Sequence, residues 1–180
     1  MTAEGSLPAV SLILGGARSG KSRFAEQLIC SMPPPLFYVA TAEPRDLEMA
    51  ERIERHKMRR GPDWQTLEVP LDLNETLKRL DKAGAVILVD CLTLWLANLM
   101  AAGCDIGKSL GSLCGTLSEV QGHIVLVSNE VGQGIIPDNE LARQFSDFAG
   151  HMHQDIAAVA QLVVMVIAGL PLTLKSSKEK

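Results

Sequence analysis

Short apolar runs alternate along the chain with segments in which apolar residues recur at helical spacing. Five continuous apolar runs predict buried strands of a mainly parallel sheet: Val10–Leu14, Leu36–Ala40, Ala85–Val89, Ile124–Val127 and Leu162–Ile167. Helical spacing predicts amphipathic helices in the segments 22–29, 46–60, 73–80, 110–120 and 141–159. Strand and helix therefore alternate from end to end, which predicts an α/β fold.

Three further segments are less regular. Trp64–Val69 alternates apolar and polar residues and predicts an edge or hairpin strand, whereas 101–112 is rich in glycine and small residues and predicts a flexible connection. Since the sequence has no internal repeat and no long linker, we expect one domain over residues 1–180, with an N-terminal extension at 1–9 and a polar tail at 176–180.

Composition excludes several classes of protein. With 47% hydrophobic and 21% charged residues, the 180-residue chain is neither disordered nor fibrous. A net charge of −4 argues against nucleic acid as a bulk electrostatic partner, although a local basic pocket stays possible. The four cysteines are widely spaced, the N-terminus lacks a signal-peptide pattern, and no apolar stretch is long enough to span a membrane. We therefore expect a reduced, cytoplasmic protein.

A glycine-rich segment directly after the first predicted strand carries the clearest chemistry. It fits the pattern G-x-x-x-x-G-K-S/T with Gly15, Gly16, Ala17, Arg18, Ser19, Gly20, Lys21 and Ser22. Glycines let backbone N–H groups surround phosphate oxygens, and the following helix directs its positive end at them. Lys21 would reach the β- and γ-phosphates, and the Ser22 hydroxyl would coordinate Mg²⁺. The alternative is a glycine-rich turn that only caps a helix.

Asp90 follows the apolar run 85–89, where a protein with such a loop holds Mg²⁺, often through water. Taken alone, an aspartate after a strand is more often a turn residue or a helix cap, and the phosphate loop is what favours the Mg²⁺ interpretation of Asp90. The sequence has no N-K-x-D signature, which disfavours a regulatory GTPase, and its length fits a small-molecule kinase or nucleotidyltransferase. These features together predict a three-layer α/β fold of the P-loop nucleoside-triphosphate hydrolase type, with a mainly parallel central sheet.

Several further motifs occur in order along the chain. They are Tyr38-Val39-Ala40-Thr41-Ala42, Glu48-Met49-Ala50-Glu51-Arg52-Ile53, His56-Lys57, Trp64-Gln65-Thr66-Leu67-Glu68, Val89-Asp90-Cys91-Leu92-Thr93 and Val127-Ser128-Asn129-Glu130-Val131-Gly132. Together with the phosphate loop, this set closely resembles the bifunctional adenosylcobinamide kinase/adenosylcobinamide-phosphate guanylyltransferase family of cobalamin biosynthesis. The resemblance extends from about residue 10 to residue 175.

The resemblance implies two activities and a homotrimer. The first activity phosphorylates the aminopropanol hydroxyl of adenosylcobinamide with ATP or GTP. The second transfers GMP from GTP to adenosylcobinamide phosphate, giving adenosylcobinamide-GDP and pyrophosphate. GMP is carried on a histidine in this family, and the matching residue is His56. Two alternatives are a monofunctional P-loop small-molecule kinase and a nucleotide-dependent binding module without turnover.

The resemblance also implies a set of nucleotide-binding residues. Besides the phosphate loop, these are Thr41, Ala42, Glu43, Lys57, Met58, Arg59, Arg60, Glu68 and Asp90. His56 could instead be a partly buried helix histidine, and Glu68 an exposed strand-end carboxylate. Asn129 and Glu130 follow a predicted strand in a glycine-flanked loop, which weakly favours contact with substrate or phosphate. We interpret His123, His151 and His153 as surface or hydrogen-bonded histidines rather than metal ligands.

Overall fold

A seven-stranded sheet forms the centre of the computed structural model, which describes residues 7–43, 61 and 63–177. Its strands are β1 (Val10–Gly15), β2 (Leu36–Ala40), β3 (Trp64–Glu68), β4 (Val86–Asp90), β5 (His123–Asn129), β6 (Leu162–Ile167) and β7 (Leu170–Ser176). Their order across the sheet is β3-β2-β4-β5-β1-β6-β7. β7 is antiparallel to β6, and every other neighbouring pair is parallel. The predicted mainly parallel α/β sheet is confirmed.

Helices cover both faces of the sheet. They are α1 (Lys21–Ile29), α2 (Leu73–Leu80), α3 (Leu92–Ala101), α4 (Ile106–Ser118) and α5 (Glu140–Val159). On one face, Ala25 and Ile29 of α1 pack against strand residues such as Ile13. On the other face, helices α2 to α5 pack against strand residues such as Leu12. The side chains of each strand alternate between these two cores, which produces three layers.

The carboxyl ends of the parallel strands meet at one edge of the sheet, and this edge carries the candidate site. Gly15 at the end of β1 is in register with Asn129 at the end of β5. On the other side of β5, Asp90 at the end of β4 is in register with Val127 of β5. Parallel α/β sheets bind their ligands at this edge, so the topology gathers the predicted phosphate loop, Asp90 and Asn129.

The prediction of a flexible connection over 101–112 is wrong for its second half. Helix α4 begins at Ile106, and the Asp105 side chain caps it by accepting a hydrogen bond from the Lys108 backbone N–H at 3.0 Å. Ile106 and Leu110 are buried on the inner side of this helix. Gly107 and Gly111 cost helix propensity, but packing of the apolar stripe outweighs that cost.

The C-terminal boundary also differs from the prediction. Ser176, assigned to a polar tail, is the last residue of β7, and Lys175 lies within that strand. The Lys175 ammonium donates to the carbonyls of Ala157 and Ala158 at 2.7 and 3.0 Å, close to the end of α5, where it satisfies exposed helix carbonyls. One domain over residues 1–180 stays a prediction. Within the described ranges, no helix is long and apolar enough to cross a membrane.

Candidate nucleotide and phosphoryl-transfer site

The glycine-rich loop lies between the end of β1 and the start of α1. Its last residue before the helix, Gly20, has φ 98°, and Arg18 has φ 57°. These left-handed conformations turn the chain sharply between strand and helix, and glycine adopts them without the usual steric cost. Residues 16–18 are exposed at the sheet edge. The loop therefore presents backbone and the helix N-terminus to a ligand, as a phosphate site requires.

Gly15 and Gly20 are also required by close packing beneath the loop. A Cβ atom on Gly15 would lie 2.6 Å from the Val166 carbonyl oxygen and would overlap the Ser19 hydroxyl. A Cβ atom on Gly20 would lie 3.3 Å from the Cα atom of Gly169. The loop therefore rests on β6 and on the turn that follows it.

Lys21 is the first residue of α1 and is buried, with 8% of its surface exposed. Its ammonium group donates to the Gly16 carbonyl at 3.1 Å, so the side chain folds back over the loop rather than extending into solvent. Ser22 follows in the first turn and is half-buried. A lysine in this position directs its charge to the space that the loop encloses.

Asp90 lies at the end of β4, and its carboxylate accepts a hydrogen bond from the Tyr38 hydroxyl at 3.1 Å. The pKa of the adjoining Cys91 thiol depends on the charged groups of this region. Burial raises the pKa of Cys91 and the Asp90 carboxylate raises it further, whereas hydrogen bonds with the Thr93 side chain and the Leu94 backbone lower it, and the Lys21 ammonium lowers it least. Lys21 at the start of α1 and Asp90 at the end of β4 both lie at the carboxyl edge of the sheet.

The Ser22 hydroxyl and the Asp90 carboxylate are hard oxygen donors of the kind that Mg²⁺ prefers when it also binds nucleotide phosphates. The pair approaches the site from the first turn of α1 and from the end of β4. The donor set therefore fits the predicted Mg²⁺.

Thr41 is fully buried directly after β2, and its side chain is hydrogen-bonded to the backbone of Cys91. Its hydroxyl donates to the Cys91 carbonyl at 2.7 Å and accepts from the Cys91 N–H at 2.9 Å. The Asn98 amide of α3 donates to the Thr41 carbonyl at 2.8 Å. Thr41 thus fixes the connection from β4 to α3, while Ala42 is half-buried and Glu43 is exposed.

The end of β5 bridges the phosphate loop and the start of α3. The Glu130 N–H donates to the Gly15 carbonyl at 3.0 Å, and the Asn129 amide donates to the Thr93 hydroxyl at 2.8 Å. The predicted pair Asn129–Glu130 therefore lies beside the phosphate loop, between the strands that carry Gly15 and Asp90.

The family model described as cobinamide kinase / cobinamide phosphate guanyltransferase matches residues 11–174. The chain belongs to this family. It is 49% identical over 168 residues to the "Bifunctional adenosylcobalamin biosynthesis protein CobP" of Pseudomonas aeruginosa strain PAO1, covering 91% of this chain and 96% of that protein. It is 37% identical over 179 residues to the "Bifunctional adenosylcobalamin biosynthesis protein CobU" of Escherichia coli strain K12, covering 91% and 98%. The predicted family, and with it the prediction of an enzyme, is confirmed.

A solved structure supports the fold. The ATPase from the type III secretion system of pathogenic bacteria is similar with a TM-score of 0.52 at 12% identity, over 92% of this chain and 56% of that one. At this identity the likeness shows the fold alone, and it confirms the predicted P-loop type.

One residue of the predicted cobinamide kinase/guanyltransferase site lies far from the phosphate loop, next to the end of β2 that precedes Thr41. Glu68 ends β3 in register with Ala40 and is exposed. β3 is four strand positions from β1, which at the usual spacing is on the order of 19 Å. Five predicted site residues lie outside the described ranges: His56, Lys57, Met58, Arg59 and Arg60.

Sequence reasoning did not foresee the surroundings of His153. This histidine of α5 is buried, and its Nε2 atom lies 2.7 Å from the Ser128 hydroxyl of β5. Its Nδ1 atom lies 3.8 Å from a carboxylate oxygen of Glu130. The interpretation of His153 as a hydrogen-bonded histidine agrees with this contact. Its position four residues after Ala149 and three before Ile156 was the available signal that it faces the sheet.

Proposed function

We propose that this chain converts adenosylcobinamide to adenosylcobinamide-GDP in two reactions, first as a kinase and then as a guanylyltransferase. The observation that carries the proposal is that the phosphate loop with Lys21 and the carboxylate of Asp90 lie at the same edge of the sheet, in a chain of the cobinamide kinase/guanyltransferase family. The loop alone supports nucleotide binding, and the family supplies the acceptor.

In the kinase reaction, the aminopropanol hydroxyl oxygen of adenosylcobinamide attacks the γ-phosphorus of ATP or GTP. The bond from that phosphorus to the β-bridging oxygen breaks, the nucleoside diphosphate leaves, and the hydroxyl proton passes to solvent or a nearby base. Lys21 and the backbone N–H groups of residues 15–22 would hold the phosphates and offset the charge that spreads over them. Ser22 and Asp90 would hold Mg²⁺, which supplies further charge neutralisation at the phosphate oxygens.

In the guanylyl reaction, a neutral ring nitrogen of His56 attacks the α-phosphorus of GTP, and pyrophosphate leaves. A phosphate oxygen of adenosylcobinamide phosphate then attacks the same phosphorus, the P–N bond breaks, and His56 is regenerated. Covalent catalysis of this kind divides one transfer into two easier steps. In this proposal the other predicted nucleotide residues, among them Thr41, Glu68 and the segment 57–60, bind GTP.

A homotrimer is part of the proposal. The hairpin of β6 and β7 exposes an apolar stripe that consists of Ile167, Leu170, Leu172 and Leu174, each at least 54% exposed. Apolar side chains grouped in this way are typical of an interface. Light scattering on the purified protein should give three times the 19.4 kDa mass of the chain. A monomer would contradict this part.

The protein is placed in the cytoplasm in this proposal, since its four cysteines are free thiols and its nucleotide substrates are cytoplasmic metabolites.

The two reactions can be tested separately. Incubation with α-labelled GTP should label the wild-type protein and the control His151→Ala, which alters an exposed helix residue, but not His56→Ala. With adenosylcobinamide present, both the phosphorylated and the GDP-linked product should form. Equal labelling of His56→Ala would contradict the histidine intermediate. The phosphate product without the GDP-linked product would instead indicate a monofunctional kinase.

A further inference from the structure

Three polar side chains form a buried cluster behind the phosphate loop that the proposed reactions do not use. The His153 cluster consists of Ser128 on β5, Glu130 directly after β5, and His153 on α5. Ser128 is fully buried, His153 is 8% exposed, and the Glu130 side chain is 20% exposed. Buried polar groups are costly unless they are paired, so this arrangement requires an explanation.

The contacts select one state of the imidazole. Burial lowers the pKa of His153, and the Glu130 carboxylate opposes this effect only in part, so the ring is neutral at pH 7. A neutral ring has one N–H. With the proton on Nδ1, Nε2 accepts from the Ser128 hydroxyl at 2.7 Å, and the protonated nitrogen lies 3.8 Å from a Glu130 carboxylate oxygen, which is an electrostatic contact rather than a hydrogen bond. The opposite tautomer would place a lone pair against that carboxylate.

Glu130 is linked on its other sides to the nucleotide site. Its carboxylate accepts from the Gly132 N–H at 2.6 Å, and its own N–H donates to the Gly15 carbonyl at 3.0 Å. Gly15 is the first residue of the phosphate loop and has no space for a Cβ atom. A rotation of the Glu130 side chain would therefore break its hydrogen bond to the Gly132 N–H, two residues after the backbone N–H that holds Gly15.

We propose that His153 is a positioning residue for phosphoryl transfer, which fixes the Glu130 carboxylate and so holds the Asn129–Glu130 end of β5 against the phosphate loop. The inference rests on the proposed kinase reaction. His153 does not touch the reacting atoms. It acts through Glu130, and its bond to Ser128 sets the ring plane.

Two isosteric substitutions separate the two contacts of the ring. The amide nitrogen of His153→Asn replaces Nδ1 and keeps a donor facing Glu130, whereas the amide of His153→Gln replaces Nε2 and keeps only the partner of Ser128. We expect His153→Asn to stay within about twofold of wild type. We expect His153→Gln to lower kcat of the kinase reaction by about tenfold or more, with KM for the nucleotide within twofold, because small displacements at a reacting centre cost this much.

The proposal would be overturned if the two variants had equal kcat, or if the loss of kcat in each variant were proportional to the decrease in its melting temperature. His153 would then be only a packing residue. His151→Ala, on an exposed site of the same helix, is the matched control and should match wild type. A double-mutant cycle adds a second criterion. Glu130→Gln should lower kcat in wild type but by less than twofold in the His153→Gln background, and independent, multiplicative losses would contradict the coupling.

A measurement on the wild-type protein does not depend on the stability of any variant. The ¹⁵N shifts of the His153 ring should report the neutral tautomer with the proton on Nδ1, and the other tautomer would overturn the proposal. If wild type gives no phosphorylated product, the proposed kinase reaction fails, whereas the tautomer still decides whether His153 is directed at Glu130.

Discussion

The backbone N–H of Gly169 donates a hydrogen bond of 2.8 Å to the carbonyl of Ser19, in the middle of the phosphate loop. Gly169 and Ala168 form the turn between β6 and β7, and both have positive φ, 79° and 51°. The turn also lies against Gly20, whose position would bring a Cβ atom within 3.3 Å of the Gly169 Cα atom. The antiparallel hairpin at the sheet edge thus supports the loop from below.

We predict that Gly169→Ala weakens nucleotide binding as well as stability. Alanine at positive φ costs about 1 kcal/mol, and relaxation of that strain would displace the amide that holds Ser19. The KM for ATP should rise severalfold, as measured in the kinase assay. Gly84→Ala is the matched control. Gly84 has φ 82° and open space around its Cα atom, but it lies in the turn before β4, at the amino ends of the strands and away from the phosphate loop.

Both substitutions should lower the melting temperature by a few degrees, and only Gly169→Ala should change KM. A rise in KM of equal size for Gly84→Ala would show that the effect is general destabilisation rather than loss of support beneath the loop.

Gly15→Ala should destabilise the protein in the absence of nucleotide by about 2 kcal/mol, since the added methyl group would meet the Val166 carbonyl at 2.6 Å and overlap the Ser19 hydroxyl. Gly16→Ala, one residue further in the same loop, meets no atom within 4 Å. Its stability should stay within about 0.5 kcal/mol of wild type. Urea unfolding of both variants checks this, and similar midpoints would contradict the close packing at Gly15.

Much of the sheet could be predicted because buried parallel strands are continuous apolar runs. The run 162–167 is an example, and its strand has the predicted bounds. β7 escaped prediction because leucine alternates there with proline, threonine and lysine on an exposed hairpin, where no buried face produces a continuous run. Helix α3 was missed for the opposite reason: it is apolar on nearly all sides, so helical periodicity is weak.

In the candidate site, too, some features could be predicted from the sequence and others could not. The chemistry of Lys21, Ser22 and Asp90 follows from their motif and from the strands that precede them. The contacts between residues from distant parts of the chain could not be predicted in this way. The pairing of Tyr38 with Asp90 depends on the adjacency of β2 and β4, and that of Ser128 with His153 depends on how α5 packs on the sheet. No local pattern encodes either adjacency.

Asp90→Asn should lower kcat of the kinase reaction at least tenfold while the fold is retained, because the amide keeps an acceptor but loses the charge proposed to hold Mg²⁺. Asp81→Asn is the control. The Asp81 carboxylate accepts from the backbone N–H groups of Gln121 and Gly122, each at 2.9 Å. These residues directly precede β5, at the end of the sheet opposite the phosphate loop. This control should lose about 1–2 kcal/mol of stability and keep kcat. Full activity of Asp90→Asn would contradict the assignment.

The last prediction concerns the pH dependence of stability. Because burial lowers the pKa of His153 in the folded protein, the unfolded chain takes up a proton at higher pH than the folded chain does. Above its ordinary pKa of about 6.5 this histidine is neutral in both the folded and the unfolded chain, so its protonation does not change the stability there. Below that pH its contribution falls by up to about 1.4 kcal/mol per pH unit, until the lower folded pKa is reached. Glu130 limits the loss, because its carboxylate favours the protonated ring.

Urea unfolding of wild type between pH 7.5 and 5 should therefore show a decline that is smaller in His153→Asn, whose amide does not titrate. His151→Ala removes an exposed histidine from the same helix and should keep the wild-type decline. If His153→Asn and wild type lose stability in parallel over this range, the proton uptake arises elsewhere in the chain. A steeper decline in Glu130→Gln than in wild type would show, independently of the kinase assay, that the carboxylate and the imidazole interact.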